Sequence, residues 1–281
     1  MKLTINSDIL SDLSAGAQTT QLEEGLFEFK QDGIRLQCSG GDSVVAFAAK
    51  VPEEAMEEYE LDEEIQFGLP FSKIDGFVSS SDTLITIETD GAGITMSDGQ
   101  FTAELATVQP QYVEGAIDKL PTIEYEVTIK DQPDFITDFI TRVGNLFDPS
   151  TYVVGGREDG IYVYSEDDNS RADTFVPWDD FDDHILNWDA NNSVDKPGAN
   201  PAEDHAMDVR MSMDFTKTFK SLGDEAILRF SNQGPMKWVF SSEGGVKMSY
   251  FQAPRVSDER GSDVIPDEVL NSSNEENTLQ L

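Results

Sequence analysis

The chain has 281 residues, of which 55 are Asp or Glu and 19 are Lys or Arg, so its formal net charge is −36 at pH 7. Because 38% of the residues are hydrophobic and 10% are aromatic, the chain can bury a core, which excludes a largely disordered protein. No run of residues is apolar enough for a membrane helix, and the first residues lack the basic and apolar regions of a secretion signal. We therefore expect a cytoplasmic protein without a membrane partner.

The acidic residues are spread along the whole chain rather than gathered in one tail. At ordinary ionic strength such a chain repels itself, whereas in molar salt the Debye length falls to about 3 Å and screens the repulsion. The charge therefore indicates a cytoplasm with a very high salt concentration. A single cysteine, Cys38, excludes an internal disulfide and a cysteine-based zinc site, so we expect no cofactor.

The predicted elements of the first half begin with a short strand and an amphipathic helix, followed by alternating strand patterns and a second helix after Pro70. In chain order, we predict strands over residues 3–5, 26–36 and 44–50, a helix over 71–78, and strands over 84–88, 93–96 and 101–105.

The second half repeats this order of landmarks at a shift of about 126 residues. The string DILSDL from Asp8 returns as DFITDF from Asp134, and DGI from Asp32 returns from Asp159. The pair Val-Pro that ends at Pro52 returns in residues 176–177. The predicted opening strand of this half spans residues 125–129.

Beyond these landmarks the shift grows by about nineteen residues, because Phe-Ser-Lys at 71–73 matches Phe-Thr-Lys at 215–217. The added residues lie at about 188–206 and are rich in Asn, Pro, Gly and Asp, which predicts an inserted loop. A helix over residues 215–222, starting at Asp214, is then expected. The chain is thus predicted to hold two tandem copies of one α+β unit.

Several strings resemble the PCNA family of DNA sliding clamps. They are YFQAPRV at 250–256, DGIRLQ at 32–37 and DKLPTIEYEV at 118–127, and they occur in the family's order within residues 1–256. The resemblance implies two clamp domains over residues 1–106 and 122–256, an interdomain connector over 107–121, and a polar tail over 257–281.

The resemblance also implies a function that involves no enzymatic reaction. It predicts a processivity factor, a homotrimeric ring with helices inside and antiparallel sheets outside, that encircles double-stranded DNA topologically. The implied partners are a DNA polymerase, a clamp loader and other clamp-binding proteins. By the same resemblance, the strand edges that would close the ring lie at residues 101–107 and 171–176, where open edges can pair head to tail.

A ring around DNA needs cationic side chains on its inner helices. The predicted inner helices carry four basic residues, and the first and third occupy equivalent positions in the repeat; they are Lys73, Arg142, Lys217 and Lys220. The first helix departs from this pattern, because it carries aspartates and no basic residue. Ordinary surface lysines are the alternative interpretation.

The resemblance further implies a hydrophobic pocket for partner peptides. Carried over through the matching strings, this pocket comprises Val44, Ala46, Leu120, Pro121, Pro235, Phe251, Ala253, Pro254 and Val256. Apolar strand residues more often form a core, but prolines at chain ends are poor ladder residues and favour exposure.

Two acidic clusters, at residues 53–64 and 178–184, could in principle bind cations, but neither has the spacing of a calcium loop. A solvated acidic surface is the simpler interpretation. Two alternative functions remain open at this stage: an acidic clamp-like or DNA-mimicking binding protein without clamp activity, and an acidic metal-dependent hydrolase. No catalytic constellation or metal site is recognisable in the sequence.

Overall fold

The computed structural model of the chain describes residues 1–40, 44–80, 84–89, 93–117, 123–130, 134–157, 159–181, 183–186, 207–216, 225–231, 234–242 and 244–255. The chain divides into two compact units. The first comprises Met1–Pro121, Phe219–Glu225 and Val239–Phe251, and the second comprises Thr122–Thr218, Ala226–Trp238 and Gln252–Leu281.

Short helices alternate with antiparallel strands along the whole described chain. The elements of the first half are β1 (Lys2–Asn6), α1 (Ser7–Gln18), β2 (Glu24–Lys30), β3 (Gly33–Ser39), β4 (Val45–Pro52), β5 (Glu58–Glu60), β6 (Ile65–Pro70), α2 (Phe71–Val78), β7 (Leu84–Thr89), β8 (Ile94–Ser97) and β9 (Thr102–Leu105). Those of the second half are β10 (Val127–Lys130), α3 (Asp134–Leu146), β11 (Thr151–Gly156), β12 (Gly160–Glu166), β13 (Arg171–Pro177), β14 (Asp183–Leu186), β15 (Met207–Ser212), α4 (Met213–Thr216), β16 (Glu225–Phe230), β17 (Met236–Ser241) and β18 (Lys247–Gln252).

The first unit contains a five-stranded sheet in the order β5-β1-β7-β8-β9 and a second run of strands in the order β18-β4-β3-β2-β6. Strand residues alternate between buried and partly exposed positions, as in β2 and β4, so each sheet turns one apolar face to the core. The helices α1 and α2 pack on each other through Ser14, whose hydroxyl donates to the Phe71 carbonyl at 3.4 Å.

Helix α1 has a local reason to begin where it does. The Asn6 side chain accepts a hydrogen bond from the Asp8 backbone N–H at 2.8 Å, and Asp8 places a carboxylate in the first turn. Leu10, Leu13 and Ala17 are buried at a spacing of three and four residues, so one helical face enters the core.

The second unit contains a four-stranded sheet in the order β13-β12-β11-β15 and a run of strands in the order β14-β10-β16-β17. Helix α3 buries Ile136, Phe139, Ile140 and Val143, which again follow helical spacing. Both faces of β12 are covered, because every residue from Gly160 to Ser165 is buried.

The repeated landmarks of the sequence pair with each other in both units. Gly33 lies opposite Pro52 in the β3–β4 ladder, and Gly160 lies opposite Pro177 in the β12–β13 ladder. A Cβ atom at Gly33 would stand 2.0 Å from the Val51 carbonyl oxygen, and one at Gly160 would stand 2.3 Å from the equivalent oxygen. The two glycines therefore recur because the facing strand approaches too closely for a side chain.

Two predicted elements have different bounds in the structure. The alternating pattern over residues 26–36 contains two strands, β2 and β3, because Gly33 has a φ of 118° and allows the chain to reverse after Asp32. The helix expected from Asp214 begins one residue earlier, at Met213, whose N–H donates to the Ser150 carbonyl at 3.1 Å. The rest of that helix, the inserted loop at 188–206 and the tail at 257–281 lie outside the described residues.

Candidate DNA-facing and partner-binding surfaces

Two of the predicted DNA-facing residues lie on described helices. Lys73 is the third residue of α2 and is exposed, and Arg142 is exposed on α3. Lys217 and Lys220 lie outside the described residues. Helix α1 presents Asp8 and contains no cation, as the sequence indicates.

Five of the described strand cations form ion pairs. They pair with carboxylates at 2.5–3.0 Å in Lys2–Glu58, Lys30–Glu28, Lys50–Asp32, Arg35–Asp32 and Lys130–Asp183. Neither Lys73 nor Arg142 forms an ion pair with another described residue. Within the described residues, neither cation is therefore held in an ion pair, which is compatible with the predicted contact to phosphate.

The Asp32 carboxylate shows how tightly the strand cations are engaged. It accepts hydrogen bonds from Lys50 Nζ at 2.7 Å and from Arg35 Nη2 at 2.8 Å. These two bonds lower the pKa of Asp32 to about 2. The residue lies in the turn between β2 and β3, so this cluster stabilises the repeated turn rather than forming a site.

Three of the predicted pocket residues share one face of the first unit. Val44 and Ala46 are half-buried, whereas their neighbours Val45 and Phe47 point into the core. Strand β18 lies beside β4, and its Tyr250 ring packs against Phe47 at a centroid distance of 5.2 Å. Because side chains alternate along a strand, the Phe251 ring points to the face opposite Tyr250, which is the face of Val44 and Ala46.

The segment predicted to be the connector, residues 107–121, is hydrogen-bonded close to this face. The Ser39 N–H donates to the Gly115 carbonyl at 2.8 Å, and Cys38 forms an isolated bridge with Ala116. Ser39 in turn pairs with Ala46 across the β3–β4 ladder. The described part of this predicted connector therefore contacts β3, which is two strands away from the strand of Phe251.

The remaining predicted pocket residues are only partly described. Pro235, Ala253 and Pro254 are half-buried and belong to the second unit. The other three lie outside the described residues; they are Leu120, Pro121 and Val256.

A groove between α3 and β13 was missed in the sequence. Its volume is about 350 Å³, and Leu146 at its rim is 76% exposed. The groove is lined by Phe135, Asp138, Phe139, Arg142, Val143, Leu146, Ala172, Asp173 and Thr174. The signal was present, because Phe135 and Leu146 are apolar positions of α3 outside its buried stripe.

A second exposed apolar feature lies beside β9. The Phe101 ring is 55% exposed and packs on Phe77 of α2 at a centroid distance of 5.7 Å. It directly precedes β9, which is one end of the five-stranded sheet.

The acidic clusters contribute no metal centre in the described part of the chain. No group of three or more His, Cys, Asp or Glu side chains is arranged there to hold an ion. Instead, His184 stacks on Trp178 at a centroid distance of 5.2 Å, and Asp183 pairs with Lys130. None of the described helices is long and apolar enough to span a membrane.

Comparisons with known proteins agree with this geometry. The chain is 25% identical over 248 residues to DNA polymerase sliding clamp 1 of Sulfolobus acidocaldarius, covering 85% of this chain and 93% of the relative. It is 24% identical over 255 residues to DNA polymerase sliding clamp 1 of Sulfurisphaera tokodaii, covering 89% and 98% respectively. No family model matches the chain.

Solved structures decide the fold. A structure of the C-terminal region of FEN-1 bound to A. fulgidus PCNA superposes with a TM-score of 0.76 at 17% identity, covering 92% of this chain and 99% of that chain. PCNA from Thermococcus kodakaraensis superposes with a TM-score of 0.73 at 13% identity, covering 90% and 99%. This chain has the fold of a PCNA-type sliding clamp. The predicted resemblance and the α+β clamp fold are confirmed.

Within this clamp fold, the structure brings Val44, Ala46 and Phe251 to one face and places Lys73 and Arg142 on helices. The roles of these residues remain predictions, as do the domain boundaries. Arg142 also lines the α3–β13 groove, so it belongs both to the predicted DNA-facing set and to this groove.

Proposed function

We propose that this chain is a DNA polymerase processivity factor, the subunit of a homotrimeric sliding clamp that encircles double-stranded DNA and catalyses no reaction. The observation that carries the proposal is the clamp fold itself, in which each unit of a duplicated chain has an end strand, β9 in the first and β13 in the second. The names of the relatives, which describe a polymerase clamp, support the same function.

The end strands suggest how copies would join. Strand β9 pairs with β8 on one side, and β13 pairs with β12 on one side, so each presents backbone groups on the other side within the described sheets. Such edges invite pairing with another chain. Because the two edges differ, head-to-tail pairing of β9 with β13 of the next copy would close a ring.

Apolar surface beside the two edges supports this pairing. The exposed Phe101 ring lies next to β9, and the groove between α3 and β13 lies next to the other edge. A Phe101 ring placed in the groove of the next copy would bury both surfaces together. Aromatic anchors in such pockets typically contribute about 2 kcal/mol or more when fully enclosed.

We propose that all four predicted cations face DNA inside the ring; they are Lys73, Arg142, Lys217 and Lys220. Arg142 would do so close to the proposed boundary between copies. So few cations suffice for two reasons. A closed ring remains on DNA by topology, and counterion release contributes little to affinity in molar salt.

The face that carries Val44, Ala46 and Phe251 is proposed to bind peptides of a polymerase, a clamp loader and other clamp-binding proteins. One solved neighbour is described as bound to the C-terminal region of FEN-1, which makes a peptide partner reasonable here. The net charge of −36 supports function in a cytoplasm of very high salt.

The proposal is tested by measuring particle mass and polymerase processivity on the same preparation. Light scattering in molar KCl should report three copies per particle, and the protein should lengthen the products of a family-matched DNA polymerase on a primed circular template. A particle that stays monomeric at every salt and protein concentration would refute the ring.

An acidic clamp-like protein without clamp activity is the second candidate, favoured by the absence of any cation on α1. It predicts that the protein competes with DNA for DNA-binding proteins and leaves extension length unchanged. The same extension assay, on linear and circular templates, separates the two functions.

A further inference from the structure

Three buried polar side chains in the second unit form a hydrogen-bonded chain that ends where β18 ends. They are Tyr152 on β11, Thr216 at the end of α4 and Gln252 at the end of β18, and each is at most 2% exposed. The Tyr152 and Thr216 hydroxyl oxygens are 2.9 Å apart, and Thr216 Oγ1 is 2.9 Å from Gln252 Oε1. Gln252 Nε2 is 2.8 Å from the Ser212 carbonyl oxygen.

Only one arrangement of protons satisfies all these groups. The Ser212 carbonyl can only accept, so the amide nitrogen of Gln252 faces it and the amide oxygen faces Thr216. The Thr216 hydroxyl has two acceptors within reach, Gln252 Oε1 at 2.9 Å and the Ser212 carbonyl oxygen at 3.2 Å. Donation to Gln252 is the shorter bond, and it also satisfies the amide oxygen, because the Ser212 carbonyl already accepts from Gln252. Tyr152 must then donate to Thr216, a stronger acceptor than the Met236 thioether 4.0 Å away. The bonds thus run in one direction, from Tyr152 to Thr216 to Gln252 to Ser212.

The chain of bonds anchors the side chain of the last strand residue, at the point where the β-ladder ends. Gln252 is the last residue of β18, and the next residues, Ala253, Pro254 and Arg255, lie outside any strand. Pro254 has no N–H to donate. The contact of Arg255 with Ser150 is exposed and long, at 3.5 Å. The buried hydrogen bonds of the Gln252 side chain are therefore the contacts nearest to residues 253–255 that can fix the path of the chain after β18.

We infer that Gln252 is a positioning residue: through its bonds to Thr216 and Ser212 it sets the path of residues 253–255, which carry the predicted pocket residues Ala253 and Pro254. This inference rests on the proposed function, because these two residues belong to the predicted peptide pocket. It goes beyond that function by assigning control of peptide affinity to buried residues on β11 and α4, none of which was predicted to touch a peptide.

The test compares side chains of nearly equal shape at one buried position. Thr216→Val removes the hydroxyl that donates to Gln252, whereas Thr216→Ser keeps it. The probe is a synthetic peptide with the sequence of the FEN-1 C-terminal region, and its Kd is measured well below the unfolding temperature of each variant. We expect Thr216→Val to raise Kd by about tenfold, the size of one buried hydrogen bond, and Thr216→Ser to stay near the parent value.

A second readout separates this inference from the proposed function. Amide hydrogen exchange at Ala253 and Arg255 should be faster in Thr216→Val and in Gln252→Leu than in Thr216→Ser. If the parent protein binds no peptide, the proposed peptide site fails, but faster exchange still supports the positioning role. If Thr216→Val changes neither Kd nor the exchange of these two amides, Gln252 only fills the core and the inference is overturned.

Discussion

Cys38 illustrates how burial determines the chemistry of one residue. Its side chain is fully enclosed on β3, and its only described polar neighbour is the Thr20 hydroxyl at 3.8 Å. Burial disfavours the thiolate and raises the pKa of Cys38 to about 12. The residue is therefore a small apolar side chain in practice.

We expect Cys38 not to react with Ellman's reagent in native buffer, because only the thiolate reacts and the reagent cannot reach it. Labelling should begin at denaturant concentrations at which the β3 region opens. Absorbance of the released thiol follows the labelling of Cys38, and far-ultraviolet circular dichroism follows the unfolding of the chain. The two curves should have their midpoints at similar denaturant concentrations. Rapid stoichiometric labelling of the folded protein would contradict this burial.

Asp32 makes stability depend on pH at the repeated turn. Its pKa is about 2 in the folded chain, below the ordinary value of 3.8, because Lys50 and Arg35 donate to it. The stabilisation is therefore complete above pH 3.8 and is lost as the pH falls through about 2. The cluster lies on the surface, so salt will weaken it.

Asp32→Asn should lower the melting temperature at pH 5 and should lower it much less at pH 2, because near its folded pKa of about 2 about half of the Asp32 carboxylate is already protonated in the parent. Thermal unfolding at several pH values and low ionic strength measures the difference between the two proteins. A difference that is constant across this range would mean that the Asp32 charge does not stabilise the turn.

At the scale of elements, α1 illustrates a helix whose packing overrides its intrinsic preference. A Cβ atom at Gly16 would lie 2.5 Å from the Phe47 ring and 3.1 Å from the Tyr250 hydroxyl. On α2, a Cβ atom at Gly76 would meet nothing within 4 Å. The two glycines occupy helices of the same unit, so they form a matched pair.

Gly76→Ala should stabilise the protein by up to about 1 kcal/mol, the gain in helix propensity. Gly16→Ala has the same propensity gain but should destabilise by about 1–3 kcal/mol, because the ring of Phe47 must move within a packed core. Urea unfolding of both variants measures the two free energies. Equal changes in unfolding free energy at the two sites would show that the Gly16 backbone does not lie as close to the Phe47 ring as the 2.5 Å distance implies.

At the scale of the whole molecule, the net charge of −36 opposes the approach of any two copies. Screening in molar salt removes this repulsion, and salt also strengthens apolar contacts. We therefore expect the proposed trimer to weaken on dilution into low salt. In the proposed trimer, the α3–β13 groove and the Phe101 ring would then supply the apolar contacts between copies.

Phe101→Asp should give monomers at concentrations at which the parent is a trimer in molar KCl, since a charge would replace the proposed aromatic anchor. Tyr112→Asp is the control, because Tyr112 is also exposed, at 69%, and lies outside the proposed boundary. Sedimentation velocity measures the oligomeric state of each variant and of the parent. If the two variants behave alike, Phe101 is not an anchor between copies.

The proposed DNA-facing lysines give a second prediction at this scale. Replacing Lys73, Lys217 and Lys220 by Glu should leave the trimer and peptide binding intact but abolish long polymerase extension at working salt. For every lysine that binds a phosphate in the parent, the replacement should reduce the salt slope of DNA binding by about 0.9. Normal extension by this triple variant would identify its lysines as ordinary surface residues.

The sequence was sufficient for features that depend on local patterns. Helix α2 has the predicted bounds of residues 71–78, because Pro70 precedes it and its apolar spacing is helical. The repeat was also visible, since Gly33 and Gly160 recur with the Val-Pro pairs that follow them in the sequence. The reason for glycine at both positions, the close approach of the facing strand, appears only in the fold. These features identified two copies of one α+β unit and the clamp resemblance.

Only the tertiary structure decided features that depend on residues far apart in the chain. The sequence could not indicate that Lys50 pairs with Asp32 whereas Lys73 has no described carboxylate partner, because ion pairing depends on which strands become neighbours. Nor could it indicate that Gln252 and Tyr152, a hundred residues apart in the sequence, meet through Thr216. A hydrogen bond requires its atoms to lie within about 3 Å, and the path of the folded chain, rather than local composition, brings these side chains that close.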